Sequence, residues 1–256
     1  MLIKNRLKLS ASAIKTYEQC GRKYYYTYVN KPGIERKKWP HLELGNFVHD
    51  VLDKFHTTLM SQPAYKWTDA MSNICKTSIK KFNLSQEQRT IAKEMLKTYL
   101  GKLDEEGMPN VLSNEQEFKV VLDDDILLKG FIDRIDCEDR KDGKRFHLVD
   151  YKTGKSKYLD EFQLLVYGLY LLDKEPELEL YKGSYIVLSE DCRSISYTFT
   201  KTDLEKVRKK IRGVADAIKS DQTWEPKPQF LCKYCDFNEI CPASPHKVAA
   251  DGRRDW

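Results

Sequence analysis

Two apolar segments that carry acids constrain the fold of this chain more than any other feature. Residues 130–136 read Gly-Phe-Ile-Asp-Arg-Ile-Asp, and residues 148–154 read Leu-Val-Asp-Tyr-Lys-Thr-Gly. Such apolar runs are typical of buried β-strands, in which an unpaired carboxylate is costly. Side chains alternate along a strand, so Asp150 and Lys152 lie on one face. Together with Asp133 on the other strand, they predict a metal site that can also bind an anion at the end of a hairpin.

The first of these segments also predicts which side chains turn inward. Asp133 shares its strand face with Phe131 and Ile135, two large apolar residues that a fold normally buries. Arg134 points to the opposite face if the strand is regular. It is therefore left without a role.

Composition places the chain among folded, soluble proteins. Of its 256 residues, 41% are apolar and 32% are charged, and 44 basic residues against 39 acidic ones give a net charge of +5. This mild excess permits a nucleic-acid partner without requiring one. No apolar run reaches membrane-spanning length, and residues 1–10 lack the apolar core of a signal peptide. We expect no membrane partner and a cytoplasmic location, or the host cytoplasm or nucleus if the protein is viral.

The periodicity of apolar residues predicts an α/β order of elements. Helices are expected to begin near Ser10 or Ser12, at the capping box of Ser85 and Gln88, and at that of Thr202 and Glu205. Other helices are predicted over residues 44–59, 67–82 and 162–172, and strands over 117–122, 126–137, 145–152, 185–188 and 195–199. We interpret residues 1–256 as one domain, with a mainly helical region 1–110, a core 111–222 and a cysteine-rich tail 223–256.

Three local patterns leave a structural and a functional interpretation open. Residues 20–26 mix basic and aromatic side chains, which pack together in most proteins but also bind single strands. The basic residues between Lys206 and Arg212 indicate either a solvated helix face or phosphate contacts. His49 borders an apolar helical stripe, where a histidine is usually structural and sometimes a ligand.

Four of the seven cysteines form a possible metal site. An odd number of cysteines without an export signal argues against a disulfide framework. Cys232, Cys235 and Cys241 are clustered, and Cys20 could complete a four-ligand site that ties the tail to the N-terminal region. The spacing alone leaves structural zinc and an iron–sulfur cluster equally open.

The acids on the two strands suit phosphodiester hydrolysis. This reaction needs a nucleophilic water, shielding of the phosphate charge and stabilisation of the leaving oxygen, and carboxylate-bound Mg²⁺ can supply all three. Asp133 and Asp150 would hold the metal, and Lys152 would orient the water and the scissile phosphate. The alternative is an exposed ion pair of Asp150 with Lys152, which the apolar flanking residues disfavour.

Residues 130–136 followed by 150–154 resemble the PD-(D/E)XK nucleases of the RecB type. Three further motifs occur in the expected order: an N-terminal motif from Leu9 to Tyr24, a histidine motif from Gly45 to His49, and a Q-x-x-x-Y motif. This resemblance implies a restriction-endonuclease-like core, in which a mixed central sheet is flanked by helices. It also implies a set of site residues, namely metal ligands at His49, Asp133, Asp150 and the main-chain carbonyl of Tyr151, a catalytic Lys152, and substrate-binding Gln163 and Tyr167. Glu117 is a weaker candidate.

The cysteines resemble those of iron–sulfur members of the same superfamily, the AddB nuclease domain and the CRISPR-adaptation nucleases. The resemblance implies a [4Fe-4S] cluster on Cys20, Cys232, Cys235 and Cys241, with structural Zn²⁺ as the alternative.

The resemblance thus implies a Mg²⁺- or Mn²⁺-dependent exonuclease that acts on single-stranded DNA or DNA ends. Recombination, repair, replication and CRISPR adaptation are the processes expected. A helicase partner would be a separate polypeptide, because Gly154-Lys155-Ser156 lacks the preceding glycine of a phosphate-binding loop. The alternative is a DNA-binding or scaffold subunit of a recombination or adaptation complex with little cleavage of its own.

Overall fold

The computed structural model describes residues 6–35, 39–141 and 143–244. Its contacts divide the chain into two units: a larger one, Lys38–Val120 with Lys129–Val207, and a smaller one, Met1–Lys37 with Val121–Leu128 and Arg208–Trp256. The single domain over 1–256 with divisions at 110 and 222 remains a prediction. Its residues 1–5, 36–38, 142 and 245–256 lie outside the described residues.

Three helices of the larger unit enclose one apolar core. They are α3 (Pro40–Ser61), α4 (Trp67–Ser78, extended by a 3₁₀ turn at Ile79–Lys81) and α5 (Gln86–Glu106). The capping box at the start of α5 is confirmed, since Ser85 Oγ accepts the Gln88 N–H and Gln88 Oε1 accepts the Ser85 N–H. The buried stripe of α3 packs with α5 and with side chains of the sheet. The helices therefore cover one face of that sheet.

The sheet contains five strands that lie wholly or partly in the larger unit. They are β2 (Val111–Leu122), β3 (Ile126–Arg140), β4 (Gly143–Lys152), β5 (Leu180–Val187) and β6 (Arg193–Thr200). β3 pairs antiparallel with β4, β4 parallel with β5, and β5 antiparallel with β6, while β2 pairs with β3. The expected fold class, a mixed sheet flanked by helices, is confirmed.

Helix α6 (Phe162–Lys174) connects β4 to its parallel neighbour β5. It is apolar on most sides and packs against both strands. Gly168 permits this approach, since a Cβ there would lie 2.0 Å from Tyr181 Oη. Successive residues of β4 face opposite layers, so Asp150 meets Tyr167 of α6 while Tyr151 belongs to the core with α3 and α5.

Two local expectations are wrong. Phe131 is 56% exposed, although Ile135 on the same predicted face is buried. Helix α7 (Lys201–Ser220) begins one residue after Thr200, whose hydroxyl and N–H pair with Asp203, so the cap is not Thr202 with Glu205. A Thr-x-x-Asp box two residues earlier in the sequence satisfies the first N–H groups instead.

The smaller unit holds the N-terminal elements β1 (Leu7–Leu9), α1 (Ala11–Gln19), α2 (Gly21–Tyr24) and a π-helix (Tyr25–Asn30). β1 pairs parallel with Ile126–Leu128, and Ser10 caps α1 by accepting the Ala13 N–H. Tyr24 is buried and stacks on Trp224 with ring centroids 5.9 Å apart. For this tyrosine the packing interpretation is correct, and the residues around Trp224 are held against the N-terminal helices.

The basic residues of α7 that lie in the smaller unit face an acidic turn. Arg212 forms ion pairs with Asp123 at 2.9 Å and with Asp125 at 2.6 Å, and Arg208 pairs with Asp123 at 2.8 Å. Lys219 also contacts Asp125. These ion pairs give the basic run a structural function that neither interpretation of the sequence anticipated.

No helix within the described ranges has the combination of length and apolar character needed to cross a bilayer.

Candidate active site

The structure brings an imidazole and two carboxylates together where α3 faces β2 and β3. One ligand atom from each of His49, Glu115 and Asp133 lies within 4.8 Å of the others. His49 Nδ1 is 3.4 Å from Asp133 Oδ2, and the same oxygen accepts the Tyr151 N–H at 2.7 Å. That bond fixes the orientation of Asp133 from the neighbouring strand. Carboxylate oxygens with one imidazole are suitable ligands for a divalent cation such as Mg²⁺ or Mn²⁺.

Glu115, not Glu117, is the acid that β2 contributes. Glu117 is about half exposed and pairs with Lys119 at 2.8 Å. Strict alternation would place both glutamates on one face, but Glu115 has a φ of +40°, which non-glycine residues rarely adopt. This left-handed backbone interrupts the alternation, so Glu115 lines the cavity with His49 and Asp133. A positive φ leaves no mark in the sequence, and only the acidic residue type at this position could have indicated the role.

Asp150 and Lys152 are connected by the Q-x-x-x-Y pair of α6. Lys152 Nζ lies 2.6 Å from Asp150 Oδ2 and donates to Gln163 Oε1 at 3.1 Å. Gln163 donates to Tyr167 Oη at 2.6 Å, and Tyr167 donates to Asp150 Oδ1 at 3.0 Å. The four polar groups form a closed ring of contacts. Asp150 is not part of the His49 group, so the structure places the sequence-predicted residues in two adjoining sets.

Burial and mutual repulsion raise the pKa values of the acids in this site. Burial first, and then the charge of Asp133, raises the pKa of Asp150 to about 6. The same two causes raise the pKa of Glu115 to about 7. Burial acts to lower the pKa of His49, but the hydrogen bond to Asp133 and the surrounding acids raise it to about 9. An added divalent cation would relieve this repulsion, which is the behaviour expected of a metal site.

An open cavity of about 570 Å³ gives access to Glu115 and Asp133. Its wall includes His49, Glu115 and Asp133 together with Asp53 and Thr153. Gly45 also lines it, and a Cβ at that position would lie 3.3 Å from Thr153 Oγ1. The histidine motif of α3 therefore contributes both the His49 imidazole and part of the cavity wall.

The four selected cysteines line a second, small cavity, which lies within the smaller unit. The Lys227 N–H donates to Cys20 Sγ at 3.4 Å, and the Gln229 N–H donates to Cys232 Sγ at 3.3 Å. Burial raises the pKa of Cys235. The distant Cys20 and the C-terminal cysteines therefore border the same space.

A mixed sheet that carries carboxylates and a lysine on its strands, with a histidine on an adjacent helix, is typical of nucleases. The chain belongs to the PD-(D/E)XK nuclease superfamily, whose sequence model matches residues 8–242. Members of this superfamily use divalent metals. The resemblance inferred from the five motifs is confirmed, and the membership supports a nuclease role.

Several proteins whose names refer to nucleases are similar to this chain in sequence or in fold. An ATP-dependent helicase/deoxyribonuclease subunit of Clostridium perfringens is 28% identical over 203 residues, which cover 64% of this chain and 17% of that protein. The protein of the same name from Clostridium acetobutylicum is 27% identical over 248 residues, covering 80% and 21%. The chain thus spans about a fifth of the length of these relatives. The crystal structure of a Eubacterium rectale protein that is provisionally named an exonuclease has a similar fold, with a TM-score of 0.54. The two chains are 13% identical, and the match covers 93% of this chain and 90% of that one.

Proposed function

We propose that the protein is a Mg²⁺- or Mn²⁺-dependent deoxyribonuclease, an exonuclease that acts on single-stranded DNA or on DNA ends. The observation that carries the proposal is the group of His49, Glu115 and Asp133 beside the linked pair of Asp150 and Lys152. The names of the relatives, which contain deoxyribonuclease, support DNA as the substrate. Recombination, repair, replication or CRISPR adaptation would be the process.

In this proposal the acids and the histidine bind the metal. His49, Asp133 and Asp150 are the ligands implied by the resemblance, with the main-chain carbonyl of Tyr151, and Glu115 joins them on the geometry of the site. The bound cation would neutralise phosphate charge and activate a water molecule. The Tyr151 N–H keeps Asp133 oriented, so that one of its oxygens is fixed before any cation arrives.

Lys152 is the proposed catalytic cation of the chain itself. Its ammonium group lies beside Asp150 and is held by the Gln163 side chain, which directs it toward the carboxylates. From there it can hydrogen-bond a water molecule and a non-bridging phosphate oxygen. Tyr167 donates to Asp150 and keeps this carboxylate in place. Gln163 and Tyr167, which lie one helical turn apart on α6, would bind the substrate, as the resemblance implies.

The cysteine site is proposed to hold a [4Fe-4S] cluster. The resemblance to iron–sulfur members of the superfamily favours the cluster over structural Zn²⁺, and the N–H groups that donate to Cys20 and Cys232 would also donate to cluster-bound thiolates. A brown protein with iron and sulfide is expected, whereas stoichiometric zinc in a colourless protein would contradict the assignment.

The nuclease proposal is tested on end-labelled linear and closed circular single-stranded DNA with Mg²⁺ or Mn²⁺. The wild type should degrade the linear strand and leave the circle intact, and Lys152→Ala should abolish degradation. Lys144→Ala is the matched control, because Lys144 lies in the same strand but is exposed and pairs with Glu175. Cleavage of the circle would contradict exonuclease action. DNA binding without cleavage of either substrate would instead favour the scaffold role.

A further inference from the structure

Arg134 follows Asp133 in β3 and points away from the cavity, into the core that α3 and α5 share with the sheet. Its side chain is 5% exposed. Arg134 Nε lies 2.9 Å from Asp136 Oδ1, and Nη2 donates to Asp136 Oδ2 at 3.0 Å. A buried ion pair contributes little net stability compared with apolar side chains of similar volume. The presence of this pair directly behind the candidate metal centre therefore calls for a role other than stability.

The remaining nitrogen of Arg134 holds two buried tyrosines. Nη1 donates to Tyr151 Oη at 2.6 Å and to Tyr99 Oη at 2.8 Å, and these two hydroxyl oxygens lie 2.8 Å apart. His56 Nε2 lies 2.7 Å from Tyr99 Oη and 3.1 Å from Tyr151 Oη. Burial and the charge of Arg134 lower the pKa of His56, so its ring is neutral.

Polar contacts surround the hydroxyl group of Tyr151. Arg134 donates to both phenol oxygens, which lie within hydrogen-bond distance of each other and of His56 Nε2. These contacts restrain the Tyr151 ring in addition to its packing in the core. A buried polar network of this kind favours one arrangement of its members.

Tyr151 transmits this restraint to the metal ligands. Its N–H donates to Asp133 Oδ2, and its ring meets the His49 ring edge-on with centroids 6.3 Å apart. Asp150 and Lys152 are its immediate neighbours in β4. The position of the Tyr151 side chain therefore restrains the main chain of β4, which also carries Asp150 and Lys152.

We infer that Arg134, anchored by Asp136, is a positioning residue that fixes the Tyr151 side chain and thereby the geometry of the metal centre. It touches neither metal nor DNA, and the inference rests on the proposed function for the identity of that centre. A purely structural role would be different, because it would change the stability of the protein without changing the metal affinity of the folded molecule.

The test measures Mn²⁺ binding by the whole 256-residue chain without DNA, using electron paramagnetic resonance. Tyr151→Phe removes only the hydroxyl, and the Kd for Mn²⁺ should rise about 10- to 100-fold, the usual loss when a group supporting metal ligands is removed. Tyr181→Phe is the matched control. It removes a buried hydroxyl that donates to the Leu164 carbonyl, and it should lower the melting temperature with the Kd within twofold of wild type.

Arg134→Lys provides the second variant, since lysine keeps the charge but cannot contact Asp136 and both tyrosines with a rigid fork. Its Kd should rise to the same extent, and the double variant with Tyr151→Phe should show no additional loss. Unchanged Mn²⁺ affinity in Tyr151→Phe, or additive losses in the double variant, would overturn the positioning role. A wild type that binds Mn²⁺ with these shifts but degrades no DNA would overturn the nuclease proposal alone.

Discussion

Asp150 is a buried carboxylate whose charge destabilises the metal-free protein, so Asp150→Asn is expected to stabilise that form. The residue is 2% exposed, and burial and the charge of Asp133 raise its pKa to about 6 despite the opposing Lys152. Each pKa unit corresponds to about 1.4 kcal/mol, so the ionised group costs on the order of 3 kcal/mol relative to the unfolded chain. Asparagine has nearly the same shape without the charge. At about 2 °C per kcal/mol, the melting temperature should rise by about 6 °C.

The pH dependence of this gain identifies its cause. The pKa of Asp150 is higher in the folded state than in the unfolded state. Its ionisation therefore lowers the free energy of unfolding progressively between about pH 4 and pH 6, and the loss reaches its full size above that range. Thermal unfolding in EDTA should therefore show the full gain at pH 8 and about 1 kcal/mol at pH 4.5. Asp123→Asn is the matched control with the opposite sign, since Arg212 and Arg208 lower the pKa of that carboxyl.

Added Mn²⁺ completes the test of this reasoning. The wild type should melt at a higher temperature with saturating Mn²⁺, because a ligand that binds only the folded state stabilises it by mass action. Asp150→Asn should lose most of that response while keeping its higher melting temperature in EDTA. A variant that is less stable than wild type at pH 8, or equally stabilised at both pH values, would refute the reasoning.

Other substitutions separate metal binding from packing and from surface charge. Glu115→Gln should raise the Kd for Mn²⁺ at least about tenfold in calorimetry, while Glu117→Gln should leave it unchanged. Gly168→Ala would place a Cβ 2.0 Å from a buried tyrosine oxygen and should cost about 3 kcal/mol or more in urea unfolding. Gly101→Ala has open space within 4 Å and should gain about 0.5–1 kcal/mol. Arg212 and Lys219 lower the pKa of Asp125, so Asp125→Asn should be less stable than wild type at pH 7, and the difference should decrease as the pH falls below about 4, the usual pKa of an aspartate.

Local signals were sufficient to predict most elements. Ser10 and the pair of Ser85 with Gln88 cap helices where the sequence indicated, because these caps act within four residues. The start of β5 could not be found in the same way. Lys182, Gly183 and Ser184 interrupt its apolar pattern, and pairing with both β4 and β6 determines the strand instead. Tertiary pairing overrode the weak local preference.

The same distinction between local sequence signals and tertiary contacts applies to the residues of the candidate site. His49, Asp133 and Asp150 carry the residue types of known motifs, so their sequence order was enough to select them. Arg134 could not be interpreted, because its partners are separated from it by up to 78 residues in sequence. Glu115 was missed because its backbone conformation, rather than its spacing, turns it into the cavity.

The two faces of the β3–β4 pair differ in how their buried charges are balanced. On the core face, Arg134 pairs with Asp136 and also donates to two tyrosine hydroxyls, although burial still raises the pKa of Asp136. On the cavity face, burial and the neighbouring acids raise the pKa values of Asp150 and Glu115 in spite of Lys152 and His49, so a cation is favoured there. A change on the core face should therefore alter the position of the metal ligands, whereas a change on the cavity face should alter the charge that attracts the metal.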